Sequence, residues 1–336
     1  MGTDWEDYSS FLNSDGLGYG LFPASYELLQ DKYESLKDIE KGALLVNYYE
    51  NLIEPNNYQT PAQITPERYI EMLKWALVKE KNQLLIGQIL GQLGNVYWNL
   101  LTLDQRNHLA PDLERTLFHC MNDLHQDPSI KKQFFNTFRN VSLTGNNKER
   151  LYRIWNGELN VPGLRLSEND KISLASNLAI KFPDRAEDIV KKQYEQIKNP
   201  DSKNRFAFLK PSLSSDQSVR DEFFESLKDE KNRETESWVL GALGNLHHPL
   251  RRKESEKYIR PSLELLKEIQ ETGDIFFPKR WLDRNLGSYN TATAVEEVDS
   301  FLNDNPEYNN QLRMKINQSV DMARRSSAIL EVLAKK

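Results

Sequence analysis

The sequence predicts an all-α protein, and three observations predict it. From about Ser25 onward, nearly every segment repeats its apolar residues with the period of a helix. Only 38% of the 336 residues are hydrophobic, yet there are 14 Tyr, 14 Phe and 6 Trp, and a solvated chain has little use for so many aromatics. A glycine-bearing stretch also occurs twice, at 90–96 and 240–246. Together these describe an irregular HEAT/armadillo-like α-superhelix of antiparallel helix pairs, a shape with much surface per unit of core.

Taken in order, the first residues differ from the rest. Phe11-Leu12-Asn13-Ser14-Asp15-Gly16-Leu17-Gly18-Tyr19-Gly20-Leu21-Phe22 is a turn signal followed by alternating bulky and small residues. That pattern suits a strand or hairpin, so residues 1–24 read as a short β remnant and residues 25–336 as the helical domain. At Thr65-Pro66, Thr65 suits the N-cap and Pro66 the first helical position, where its missing N–H costs nothing. Tyr69, Met72, Leu73, Ala76 and Leu77 then share one face. Phe223, Phe224 and Leu227 group in the same way, and Leu263, Leu266, Ile269 and Gln270 mark a helix that Gly273 ends. Periodicity alone gives about sixteen helices with short polar connections.

The repeated stretch is Leu90-Gly91-Gln92-Leu93-Gly94-Asn95-Val96 and Leu240-Gly241-Ala242-Leu243-Gly244-Asn245-Leu246, identical at five positions. Glycine within a helix costs about 1 kcal/mol relative to alanine, so a pair at i and i+3 marks close helix approach or a helix end. No strict period of about 40 residues links the copies, which makes the repeat irregular.

Composition narrows the chemistry. With 44 basic and 50 acidic side chains the formal charge is −6, which gives no electrostatic footprint for nucleic acid. Cys120 is the single cysteine, so neither an internal disulfide nor a cysteine-rich zinc site can form. No apolar run approaches the ~18 residues that span a bilayer. The five histidines form no H-E-x-x-H, and neither a P-loop, G-x-S-x-G nor G-x-G-x-x-G occurs. His119 and His125 are six residues apart, on different faces of a helix, and Cys120 beside them reads as a half-buried helix position. Carboxylates are plentiful but scattered, and no acid/base pair stands out.

Two clusters remain. His247-His248-Pro249-Leu250-Arg251-Arg252-Lys253 is a basic turn between helices, and Gly273-Asp274-Ile275-Phe276-Phe277-Pro278-Lys279-Arg280-Trp281 joins an apolar patch to two cations. Guanidinium and ammonium groups recognise carboxylates, so Lys279, Arg280 and Arg251 are the candidate contacts with a peptide or a neighbouring domain. The structural alternative is a loop whose aromatics plug a helix–helix gap while its cations are solvated.

At these segments a resemblance emerges. Leu213-Ser214-Ser215-Asp216, Phe223-Phe224-Glu225-Ser226-Leu227, Glu236-Ser237-Trp238-Val239-Leu240, His247-His248-Pro249-Leu250-Arg251, Leu265-Leu266-Lys267-Glu268-Ile269-Gln270 and Thr272-Gly273-Asp274-Ile275-Phe276-Phe277-Pro278 occur in order. Together they resemble the C-terminal helical domain of aminopeptidase N-like zinc metallopeptidases, bacterial members above all. Asn13 to Gly20 similarly resembles the last strands of the small β-sandwich that precedes that domain in the family.

The resemblance implies a non-catalytic domain that encloses an active-site chamber and limits peptide access. The family's H-E-x-x-H zinc site and G-x-M-E-N motif are absent from this chain. Zinc is therefore expected in a catalytic domain outside it, and no cofactor within it. The expected partners are that catalytic domain, the β-sandwich and a peptide substrate, with no nucleic acid and no membrane span. Met1-Gly2 running straight into a sandwich-like strand fits an excised piece, inactive alone, whose compartment is set by sequence upstream. A stand-alone helical-repeat module that binds a peptide is the alternative.

Overall fold

A computed structural model describes residues 32–59 and 64–335; the β remnant expected at 1–24 lies outside these. Among the described residues every regular element is a helix, so the all-α class holds. The chain divides into two compact units, one comprising residues up to Leu109 with those from Ala328, the other Ala110–Ser327.

In the first unit, α1 (Asp38–Leu52), α2 (Pro66–Lys79) and α3 (Gln83–Asn99) pack together, with α1 and α2 each against α3. Helix α2 starts as its sequence dictates: Pro66 opens it and Thr65 Oγ1 accepts from the Arg68 N–H at 3.3 Å. Tyr69, Met72, Leu73, Ala76 and Leu77 are all buried. Burying a side chain of this size stabilises by about 1.5–3 kcal/mol, so the shared face drives the pairing. Polar groups inside the contact are matched. Tyr69 Oη donates to Gln92 Oε1 at 2.8 Å, and Gln92 Nε2 donates to the Leu45 carbonyl at 3.0 Å.

Helix α4 (Leu103–Asn122) leads into the second unit. That unit continues through α5 (Pro128–Val141), α6 (Gly145–Asn156), α7 (Glu168–Lys181), α8 (Ala186–Gln196), α9 (Pro200–Leu213) and α10 (Gln217–Ser226). It then runs through α11 (Glu236–Leu246), α12 (Arg252–Ser255), α13 (Ile259–Glu264), α14 (Leu266–Thr272), α15 (Phe277–Leu286), α16 (Ala292–Asp304) and α17 (Asn310–Ala334), whose residues from Ala328 belong to the first unit. Asp127, Thr144, Ser167, Asn199, Asp216 and Thr291 cap their helices through side-chain oxygens. Helices pack against the next and the next but one: α7 touches α5, α6, α8 and α9, while α9 touches α10 and α11. This neighbour-by-neighbour packing is the helical-repeat arrangement that the periodicity predicts.

The helix read from Leu263 to Gln270 is two short helices that part at Leu265, whose N–H still reaches the Pro261 carbonyl at 3.1 Å. Leu263, Leu266 and Ile269 are buried as expected, and Gly273 is the C-cap.

Buried cations close some of the C-terminal helix ends. A helix leaves its last four carbonyls without intrahelical donors and carries partial negative charge there. Lys181 is buried and sends its ammonium to the carbonyls of Arg139, Asn140 (3.1 Å) and Ser142 (2.8 Å) at the end of α5. Burial pushes its pKa down to about 7, with Glu114 opposing the shift. Arg233 does the same after α10, donating to the Leu227 and Lys228 carbonyls. Glu114, itself fully buried, works at the opposite pole, accepting from Leu143 N, Thr144 N, Thr144 Oγ1 and Asn147 Nδ2 where α6 begins.

Candidate functional site

Both sequence clusters lie in the second unit, and the structure treats them differently. In the turn after α11, Arg251 is buried. Its guanidinium donates to the carbonyls of Ser212 (2.7 Å), Leu213 (3.1 Å) and Ser214 (3.0 Å), closing the end of α9. Burial, then the nearby Arg220, lowers its pKa to about 10, so it stays charged at neutral pH. Arg252 is also buried and donates through Nε to the Ser288 carbonyl. Both arginines of the turn are therefore spent inside the fold, and of its cations Lys253 alone is exposed.

Its histidines are built in as neutral groups. His247 is buried, with Nδ1 2.6 Å from Tyr289 Oη, and burial lowers its pKa to about 3. His248 Nδ1 accepts from the Leu250 N–H at 3.2 Å, a contact that needs an unprotonated nitrogen. Burial, then Lys181, Arg251 and Arg252, holds His248 near 3 as well.

The loop between α14 and α15 is the more open of the two. Gly273 is required there, because a Cβ would stand 2.7 Å from Phe277 Cδ1 and 2.9 Å from the Ile269 carbonyl oxygen. Glu236 Oε1 accepts from the Asp274 N–H at 2.7 Å. Asp274 Oδ1 in turn accepts from the N–H groups of Phe276 (2.6 Å) and Phe277 (2.8 Å). These bonds, the Phe276 one first, hold the Asp274 carboxyl below its usual range, whereas burial raises Glu236. The loop is stiff, and its tip is apolar and bare: Ile275 is 77% exposed and Phe276 62%.

Of the remaining residues, Phe277 and Trp281 face the core, where Trp281 Nε1 donates to the Ser262 carbonyl at 3.0 Å. Lys279 pairs one helical turn along with Asp283. Arg280 is exposed, its guanidinium 5.7 Å from the Phe276 ring centroid. The structure thus brings Arg280 beside the Phe276 ring of the tip, ties Lys279 to Asp283 and commits Arg251 to backbone carbonyls. The tip can offer apolar surface and a guanidinium within one loop, the pairing that grips a peptide side chain and a carboxylate together.

Elsewhere, Cys120 is buried and its thiol is pushed up to about 11 by burial, so it is not a ready nucleophile. Among the described residues no three His, Cys, Asp or Glu side chains come together to hold a metal ion, and no helix is long and apolar enough to cross a membrane.

No family model matches this sequence, and no curated protein does. A solved structure from work on the computational design of self-assembling cyclic protein homooligomers is similar over 89% of this chain and 100% of its own. Its identity is 11% and its TM-score 0.19, too slight a likeness to carry an argument.

Proposed function

We propose that this chain is a non-catalytic helical domain that works beside the catalytic domain of an aminopeptidase N-like zinc enzyme, limiting peptide access to its chamber. The observation that supports the reading most is the α14–α15 loop, which falls within the segments that carry the sequence resemblance. A tip held by Glu236 and Asp274, with Ile275 and Phe276 bare and Arg280 beside the Phe276 ring, is built for contact and not for chemistry. Zinc belongs to the catalytic domain in this reading, and no step is routed through the residues here.

The test has two arms. The isolated chain is assayed on aminoacyl-arylamides with added zinc; no hydrolysis is expected, and robust metal-dependent turnover overturns the proposal. With the upstream catalytic region restored, Lys279→Ala and Arg280→Ala are expected to weaken affinity for long peptides more than for single-residue substrates. Equal effects on both count against a role in contacting the distal part of the peptide.

A further inference from the structure

The surface between α8 and α9 makes an independent case. A cleft of about 270 Å³, open to solvent, lies here with Ala186, Val190, Leu213 and Val219 among its walls and Lys210 and Glu187 as its charged members. Beside it, Tyr194 carries two ammonium groups: Lys203 Nζ and Lys210 Nζ each lie 4.8 Å from its ring centroid. Lys203 and Lys210 are two helical turns apart on α9, and among the described residues neither forms an ion pair. Cation–π contact alone stabilises an exposed ammonium only weakly, so two such groups on one ring retain capacity for an anion. Val219 is 36% exposed, so the apolar wall reaches solvent next to the cations.

We propose that the α8–α9 cleft binds a short acidic peptide segment of a partner protein. An apolar side chain seats against Val219, with Val190 and Leu213 packed behind it, and a neighbouring carboxylate takes the ammonium groups of Lys203 and Lys210. The arrangement fits a peptide and not a nucleic acid. Two lysines meet one or two carboxylates at short range, whereas a polyanion must also approach a chain of formal charge −6. Glu187, exposed in the same wall, adds to that selectivity, because it disfavours a second anion in the cleft.

The probe is a fluorescein-labelled decapeptide alternating Glu with Leu and Val, titrated into the full chain, with the same peptide carrying Gln for Glu as its control. The acidic peptide is expected to bind more tightly than the control and to lose affinity as salt is raised. The surface double variant Lys203→Gln/Lys210→Gln is expected to keep its melting temperature and to bind about tenfold more weakly. Val219→Asp is expected to abolish binding, and hydrogen exchange is expected to slow within residues 186–219 on peptide addition. Equal binding of the two peptides, an unaffected double variant, or protection mapping elsewhere overturns the proposal. So does displacement of the peptide by an equal concentration of oligo-dT.

Discussion

Helices α3 and α11 carry the same leucine–glycine–asparagine run, yet their glycines have different surroundings. In α11 a Cβ at Gly241 would stand 3.3 Å from Leu209 Cδ2, and one at Gly244 would stand 3.4 Å from a guanidinium nitrogen of Arg284. The glycines let α9 and α15 approach α11 from two sides. In α3 a Cβ at Gly91 would meet nothing within 4 Å. A local pattern thus permits close approach without requiring it, and the neighbours decide.

The ends of the two helices differ in the same sense. Past α3, Arg106 reaches the Leu101 carbonyl, with its guanidinium 5.3 Å from the Trp98 ring centroid. Past α11, Arg251 reaches back to three carbonyls at the end of a different helix, α9.

The largest test of this contrast is to remove the two arginines. Arg251→Met leaves three buried carbonyls without that donor, and the expected loss is about 3 kcal/mol. Arg106→Met strands one carbonyl and should cost about 1 kcal/mol. Urea unfolding followed by hydrogen exchange in each helix reads both, and equal losses would erase the distinction.

Acid gives the next largest effect. His247 and His248 titrate near 3 when folded and near 6.5 when free, so the unfolded chain takes up protons first as pH falls. Their contribution is complete above pH 6.5 and declines towards pH 3, by about 1.4 kcal/mol per pH unit for the buried His247 and by less for the half-buried His248. At pH 5 that is about 2 kcal/mol for His247 alone. His247 is the C-cap of α11 whereas Leu100 is that of α3, so the stability of α11 should fall more steeply with acid than that of α3. His247→Phe should flatten the slope, and an unchanged slope would show that His247 is not the sensor.

The smallest test returns to the glycines. Gly91→Ala should stabilise by about 1 kcal/mol, since helix propensity improves and the added methyl meets open space. Gly241→Ala should gain little, because Leu209 must give way by a few tenths of an ångström. Thermal melts of the pair measure the difference, and equal gains would remove the packing argument for α11.

What the sequence made legible was local. Thr65, Pro66 and the buried face of α2 follow from residues within three turns of one another, and so do the buried Leu263, Leu266 and Ile269. Arg251 could not be placed that way, because three of its four carbonyl partners lie 37–39 residues earlier and a carbonyl leaves no mark in side-chain chemistry. The same holds for Lys181, whose acceptors come from α5. The basic turn was visible, but its burial depends on α9 arriving beside it. At 273–281 the neighbours in sequence are the partners in space: Asp274 holds the loop, Lys279 pairs with Asp283 and Arg280 lies over Phe276. The α8–α9 cleft was missed altogether: Tyr194, Lys203 and Lys210 are separated by a helix boundary and share no motif.

The cation caps bear on how this chain can change by mutation. Arg251 and Lys181 bind backbone oxygens, which every amino acid supplies in the same place. Positions 139–142 and 212–214 can therefore drift in side-chain identity, within the limits of packing, without losing the bond. The two cations have no such freedom, because the bond needs their particular donors. Substitution should be sharply lopsided across each cap, with the donor side fixed and the acceptor side loose, so that helix register can persist long after the surrounding sequence has diverged.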